Sequence, residues 1–195
     1  MARKFQMKEV IKSLGKNRGF KREVFLKVRK EFEKKKGTLI ESFNSHPVTK
    51  EIEGGPTASN ESGTLGGYGN LYSFIGFIAG TTPTSKLRSI LQKRTSLKKE
   101  PKISSRGRKM NITYVIQTPT ETEITAVTPM PWESGRSWAY GIERGISGLG
   151  FYVYKKWKTS RSGDAIQSQK KQRSATFKQR GYLSEIWRDF TRRLR

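Results

Sequence analysis

The 195-residue chain has no cysteine. That excludes disulfide cross-links and thiolate metal sites, and it removes any reading of redox compartment. It has one histidine, His46, which excludes paired-imidazole metal ligation. Hydrophobic residues make up 33%, little for a domain of this length, so the chain reads as a modest core with segments that order on assembly. The longest apolar run, Leu71 to Ala79, is about half of what a membrane-spanning helix needs. The N-terminal MARKFQMKEVIKS is basic but lacks the apolar centre of a signal peptide. These absences together predict a soluble protein made and used inside a cell, with no membrane contact.

Negative charge is also scarce, and the formal net charge is +24. The excess is unevenly spread. Residues 1–50 carry 15 Lys/Arg against 5 acids, residues 81–110 carry 10 against 1, and residues 151–195 carry 13 against 3. Residues 51–80 carry no Lys or Arg against 3 acids, and residues 111–150 carry 2 against 4. Such a field attracts polyanions or acidic protein surfaces and weakens with salt. Within the Lys/Arg-free stretch lies GGPTASNESGTLGGYGNLYSFIGFIAG, residues 54–80. It is not a phosphate cradle. A P-loop follows a buried strand and ends in Lys and Ser/Thr, whereas Gly66, Gly67 and Gly69 lead into Asn70 and Leu71. It reads as a flexible loop, 54–67, feeding an aromatic segment from Tyr68 to Ala79. Leu71, Tyr72, Phe74, Ile75, Phe77 and Ile78 form a sticky patch that packs either into the chain's own core or against a neighbouring subunit; the subunit contact is the functional expectation.

The periodicity predicts a small antiparallel sheet packed by helices, an α+β fold with long loops and extended basic termini. Residues 1–19 form a basic arm, 20–158 the core, 159–180 a basic loop or arm, and 181–195 an amphipathic helix with Leu183, Ile186, Trp187, Phe190 and Leu194 on one face. Inside the core, Val24, Phe25, Val28, Phe32, Leu39, Ile40 and Phe43 mark a helix over 20–43, crossed by Gly37 and ended by His46-Pro47. A further turn follows at Val48–Glu53, and Pro83–Ser85 open a second helix carrying Leu87, Ile90 and Leu91. KKEPKISSRGRK then reads as a basic linker. Alternation in 109–118 and 123–128 predicts two strands of a hairpin, Trp138–Arg144 a short helix, and FYVYKKW (151–157) a third strand.

Chemistry is hard to find. There is no nucleophile elbow, no metal-ligand spacing and no pair of carboxylates in an apolar setting. Glu133 and Glu143 flank the Trp138 helix, where Arg136 or Arg144 can neutralise them. The sequence therefore predicts a non-enzyme with no catalytic residues, cofactor or metal. FYVYKKWK interleaves aromatic and basic residues, a weak base-stacking signal that an exposed strand shares.

The words ESGRSWAYGIERGISGLGFYVYKK, TSRSGDAIQSQKKQRS, GYLSEIWRDF and HPVTKEIEGGP…GTLGGYGNLYSFIGF resemble the small neck and tail-completion proteins of tailed bacteriophages, the head-tail connector and tail-terminator class. The resemblance implies a structural virion protein: a homo-oligomeric ring assembled in the host cytoplasm, joined to neighbouring neck, portal-adaptor or tail proteins, with genomic DNA passing through its channel. It transfers no catalytic residue. On this reading Lys34, Lys35, Lys36, Arg192, Arg193 and Arg195 contact an acidic partner or a polyanion. The alternative is a basic nucleic-acid-binding protein, ribosome- or genome-associated, which leaves the Lys/Arg-free ribbon without a purpose.

Overall fold

Two helices open the chain, α1 (Met7–Lys16) and α2 (Arg18–Ser45). The computed structural model describes residues 7–65, 69–106, 109–131, 133–145 and 177–194. Asn17 separates the helices: its extended backbone and its side-chain oxygen, which accepts the Phe20 N–H at 3.0 Å, cap α2. At about 1.5 Å per residue α2 spans roughly 42 Å and is the spine of the molecule. A Cβ added at Gly37 would meet nothing, and Phe32 and Leu39 on either side are buried. The helix therefore runs through this glycine at only its conformational cost. It ends where the sequence predicts, at His46, because Pro47 cannot follow a helical residue without a clash. Pro47 then opens α3 (Pro47–Glu53), at the one turn where a missing N–H costs nothing.

A 3-10 turn at Gly55–Thr57 leads through the loop to α4 (Leu71–Ile75). Asn70 caps it by accepting the Ser73 N–H at 2.9 Å, and Gly76 ends it at φ 83°, a left-handed conformation that favours glycine. α5 (Thr84–Arg94) follows, then β1 (Ser96–Leu97), β2 (Lys102–Arg106), β3 (Lys109–Thr113) and β4 (Ile116–Gln117). After these come α6 (Glu121–Val127), β5 (Pro129–Met130), β6 (Glu133–Ser137), α7 (Trp138–Arg144) and α8 (Leu183–Leu194). The class is α+β, but among the described residues the strands form three separate antiparallel pairs, β1–β4, β2–β3 and β5–β6, rather than one sheet.

Two expectations are corrected here. The partner of β3 is not 123–128 but Lys102–Arg106, inside the stretch read as a basic linker; Ile103 pairs with Ile112 and Ser105 with Met110. Residues 121–127 are helical because Thr120 and Glu123 form a capping box, with Thr120 Oγ1 accepting the Glu123 N–H at 3.2 Å and Glu123 accepting the Thr120 N–H at 2.9 Å. The basic arm at 1–19 contains α1. The strand expected at 151–157 and most of the loop expected at 159–180 lie outside the described residues.

The core gathers Phe43, Leu39, Ile52, Leu71, Tyr72, Leu87, Leu91, Ile124, Trp138, Ile142 and Tyr182, all essentially without solvent exposure. Trp138 sits at its centre, edge-on to Phe77 at 5.8 Å and 6.2 Å from Tyr182. Tyr182 also lies 6.1 Å from Phe43 and 5.0 Å from His46, at the C-terminal end of α2. From there α8 runs back along α2, burying Leu183, Ile186 and Phe190. A smaller apolar layer lies away from this core. α1 and the first half of α2 cover the hairpin β2–β3: a Cβ at Gly15 would stand 3.6 Å from Ile103 and 3.8 Å from Met110, and Phe25 lies 5.9 Å from Tyr114.

Candidate interaction surfaces

The Gly-rich ribbon is held by its own chain. Glu51, buried on α3, accepts the Ser62 N–H through Oε2 and the Leu71 N–H through Oε1, both at 2.7 Å. A single carboxylate thus pins both ends of the 62–71 segment, with charge-assisted bonds that take the place of solvent. The outer side of the loop meets the segment entering α8. Lys178 donates its N–H to the Thr64 carbonyl at 2.7 Å, Arg180 donates its guanidinium to the Ser62 carbonyl, and Phe177 stacks on Phe74 at 5.6 Å with planes 9° apart. The Arg180 N–H reaches the Ile142 carbonyl, and Gln179 donates to the Arg144 carbonyl at 2.9 Å, tying the same segment to α7.

The patch expected at a subunit contact is therefore divided. Leu71, Tyr72, Ile75 and Phe77 are in the chain's own core, a correction that follows from α4 turning these side chains inward beneath its Asn70 cap. Phe74 is half-buried on Phe177. Ile78 alone of the six is exposed, at 57%. Its turn is braced, since the Ile78 carbonyl accepts the Tyr72 hydroxyl and the Thr81 hydroxyl, the latter at 2.7 Å.

The cationic residues singled out lie on α2 and α8. Lys34 is exposed and pairs with Glu31 at 3.2 Å, while Lys35 and Lys36 are half-buried. Arg192 and Arg193 are exposed, Arg192 beside Asp189 at 3.2 Å. Arg195 lies outside the described residues. Counting back at about 1.5 Å per residue from the Tyr182–His46 contact brings Arg192 and Arg193 level with Lys34–Lys36 along α2.

His46 has a structural post. Its Nδ1 accepts the Val48 N–H at 3.2 Å and its Nε2 faces Glu185 at 3.3 Å. That fixes the neutral tautomer with hydrogen on Nε2. Burial lowers its pKa below the usual imidazole value, against the opposing pull of Glu185. Tyr182 donates or accepts with Thr49 Oγ1 at 2.8 Å, and burial raises its pKa.

A cleft of about 300 Å³ opens between α6, β6 and α7. Arg144 crosses it to Glu121 at 2.6 Å and lies 4.6 Å over the Tyr140 ring. The hydrogen bond from Arg144 holds the Glu121 carboxyl below the usual range. The sequence had Arg136 or Arg144 neutralising Glu133 and Glu143; Arg144 pairs with Glu121. Glu143 accepts the N–H groups of Tyr182 at 3.0 Å and Ser184 at 2.6 Å, anchoring the start of α8. The ion pair at the cleft is solvent-exposed on both sides. Among the described residues no group of three or more His, Asp or Glu side chains is placed to hold a metal ion, and no helix is long and apolar enough to cross a membrane. The β2 strand and the Glu51 staple were the features that sequence reasoning missed; the Thr120–Glu123 spacing was the one available signal for α6. No family model matches the chain, and no curated protein or solved structure does either.

Proposed function

We propose that this protein is a non-catalytic structural component of a tailed-phage virion, forming a homo-oligomeric ring at the neck or tail junction, where it completes the tail and joins it to the head. The observation that carries the reading is the distribution of exposed large apolar side chains. Ile78 stands on a braced turn in the stretch without Lys or Arg; Leu14, Leu26 and Val115 stand on the cationic layer formed by α1, α2 and β2–β3. A ring subunit needs one surface for its copies and another for the next protein along the axis. Copies of a +24 chain repel one another, so their mutual contact belongs on the ribbon, which carries no Lys or Arg, and the cationic layer is left for a different neighbour.

Negative-stain images of the nuclease-treated, full-length protein test it, alone and mixed with neck or tail partners. Closed rings with a lumen that admits duplex DNA are expected. A monomer that never closes, alone or with partners, and that retains nucleic acid with a steep salt dependence would instead favour a nucleic-acid-binding protein.

A further inference from the structure

The exposed large apolar side chains among the described residues, Leu14, Leu26, Ile78 and Val115, differ in their charged company. Leu14 stands between Lys12 and Lys16, Leu26 beside Lys27, and the Val115 carbonyl accepts the Lys98 N–H at 2.9 Å. Ile78 has no Lys or Arg closer in sequence than Lys86. It is also held outward. Its carbonyl accepts the Thr81 N–H at 3.1 Å together with the Tyr72 and Thr81 hydroxyls, so the exposed tip 78–82 is braced before any contact. The carbonyls of Ala79 and Gly80 accept no hydrogen bond among the described residues.

The cleft between α6, β6 and α7 has the complementary features. It lies within 111–150, the other stretch where acids outnumber Lys and Arg, and none of its lining residues belongs to the ribbon. At about 300 Å³ it is at the small end of ligand sites and has room for a branched side chain. Thr125, Met130, Tyr140 and Gly141 supply apolar lining, beside Arg136 and Arg144. Arg144 gives one nitrogen to Glu121, and its guanidinium carries further N–H donors. We infer that the Ile78 tip of one copy enters this cleft on the next copy, with Ile78 against Met130 and Tyr140 and Arg144 donating to the Ala79 or Gly80 carbonyl. The contact joins two different surfaces of the same chain. It is therefore heterologous, the kind that repeats head to tail and can close a ring. It also brings together the two stretches that are not cationic, whereas Leu14 or Leu26 would carry lysines toward Arg136 and Arg144. The inference rests on the ring reading, for which it supplies the receiving surface.

Because the chain has no cysteine, single thiols can be placed on the two surfaces of the full-length protein. Ile78→Cys mixed with Thr125→Cys and a short bis-maleimide is expected to give at least about tenfold more cross-linked dimer than either variant alone, at low and at high salt. Thr125→Tyr, which fills the cleft, should prevent closure as Ile78→Asp does. The two blocked variants mixed together should form a dimer and nothing larger, because each keeps one intact half of the contact. No excess of mixed over single cross-links, Ile78→Cys alone cross-linking as well as the mixture, or rings formed by Thr125→Tyr would each overturn the inference. Light scattering on the unmodified chain scores the ring separately. Rings without the mixed cross-link refute this inference alone, the mixed cross-link without rings refutes only the reading on which it rests, and the absence of both refutes the two together.

Discussion

The carboxylate of Glu51 accepts the backbone N–H of Leu71, 20 positions further along the chain, at 2.7 Å, and both residues are without solvent exposure. Its other oxygen takes the Ser62 N–H at the same distance. Most of the ribbon is folded onto its own chain, which leaves Ile78 as its exposed large apolar side chain. Glu51→Ala leaves two buried donors unanswered and should lower unfolding free energy by about 3 kcal/mol. Glu51→Gln keeps one acceptor oxygen and should cost about half as much. Urea midpoints at constant m would check the order; an unchanged midpoint in Glu51→Ala would remove the staple from the account.

His46 makes stability depend on pH. Its folded pKa is lowered by burial, so between that value and the unfolded value of about 6.5 the unfolded state binds more protons. Stability is then full above about pH 6.5, falls as pH drops through the window, and levels off below the folded pKa. Protonating Nδ1 also removes the lone pair that accepts the Val48 N–H. His46→Asn retains a capping oxygen and has no titration. The wild-type-minus-variant difference in unfolding free energy should slope across this window and be flat above it. A flat difference throughout would show that the imidazole titrates alike in both states.

Neighbours in sequence, Phe77 and Ile78, should behave oppositely. Phe77 is in the core against Trp138 and Tyr72, so Phe77→Ala should cost about 3–5 kcal/mol of protomer stability. Ile78→Asp, on the exposed turn, should leave stability within about 0.5 kcal/mol and abolish ring closure. Thermal melts and light scattering on both variants separate the two effects. A stable Phe77→Ala monomer, or rings formed by Ile78→Asp, would contradict the assignment.

The capping box that makes 121–127 helical is tested by Thr120→Ala, which should cost about 1 kcal/mol. Thr120→Ser should retain most of the stability, since its hydroxyl still reaches the Glu123 N–H. Equal losses for the two would mean that the hydroxyl is not the cap.

These residues also show how far the sequence was legible. α2, α5, α7 and α8 follow from apolar spacing and from the stop at His46-Pro47, because each buries one stripe and the stripe repeats at the helical period. α6 defeated the same approach. Over seven residues Ile124, Ala126 and Thr128 alternate as a strand would, and the local capping chemistry of Thr120 and Glu123 outweighed that pattern. β2 is polar, KISSR; with Ile103 as its one apolar residue it has no alternation to detect. The Glu51 staple pairs a side chain with backbone donors, which have no signature in residue type. The burial of Leu71, Tyr72, Ile75 and Phe77 could not be told from an exposed patch, since apolar residues look alike whether the surface that covers them is their own chain or another.

Neutralising Lys34, Lys35, Lys36, Arg192 and Arg193 to Gln, on surfaces brought level by the α2–α8 packing, should weaken joining to an acidic partner ring and leave self-closure intact. Co-sedimentation of variant rings with a partner ring at low salt checks this. Undiminished joining would exclude these cations from the contact.

The most direct test is the mass of the purified, nuclease-treated chain by light scattering at low and high salt. A closed oligomer that persists when salt screens the +24 charge, or a monomer converted to one by a neck or tail partner, is the predicted result. A particle that remains a 22.3 kDa monomer under every condition, partner included, would contradict the ring.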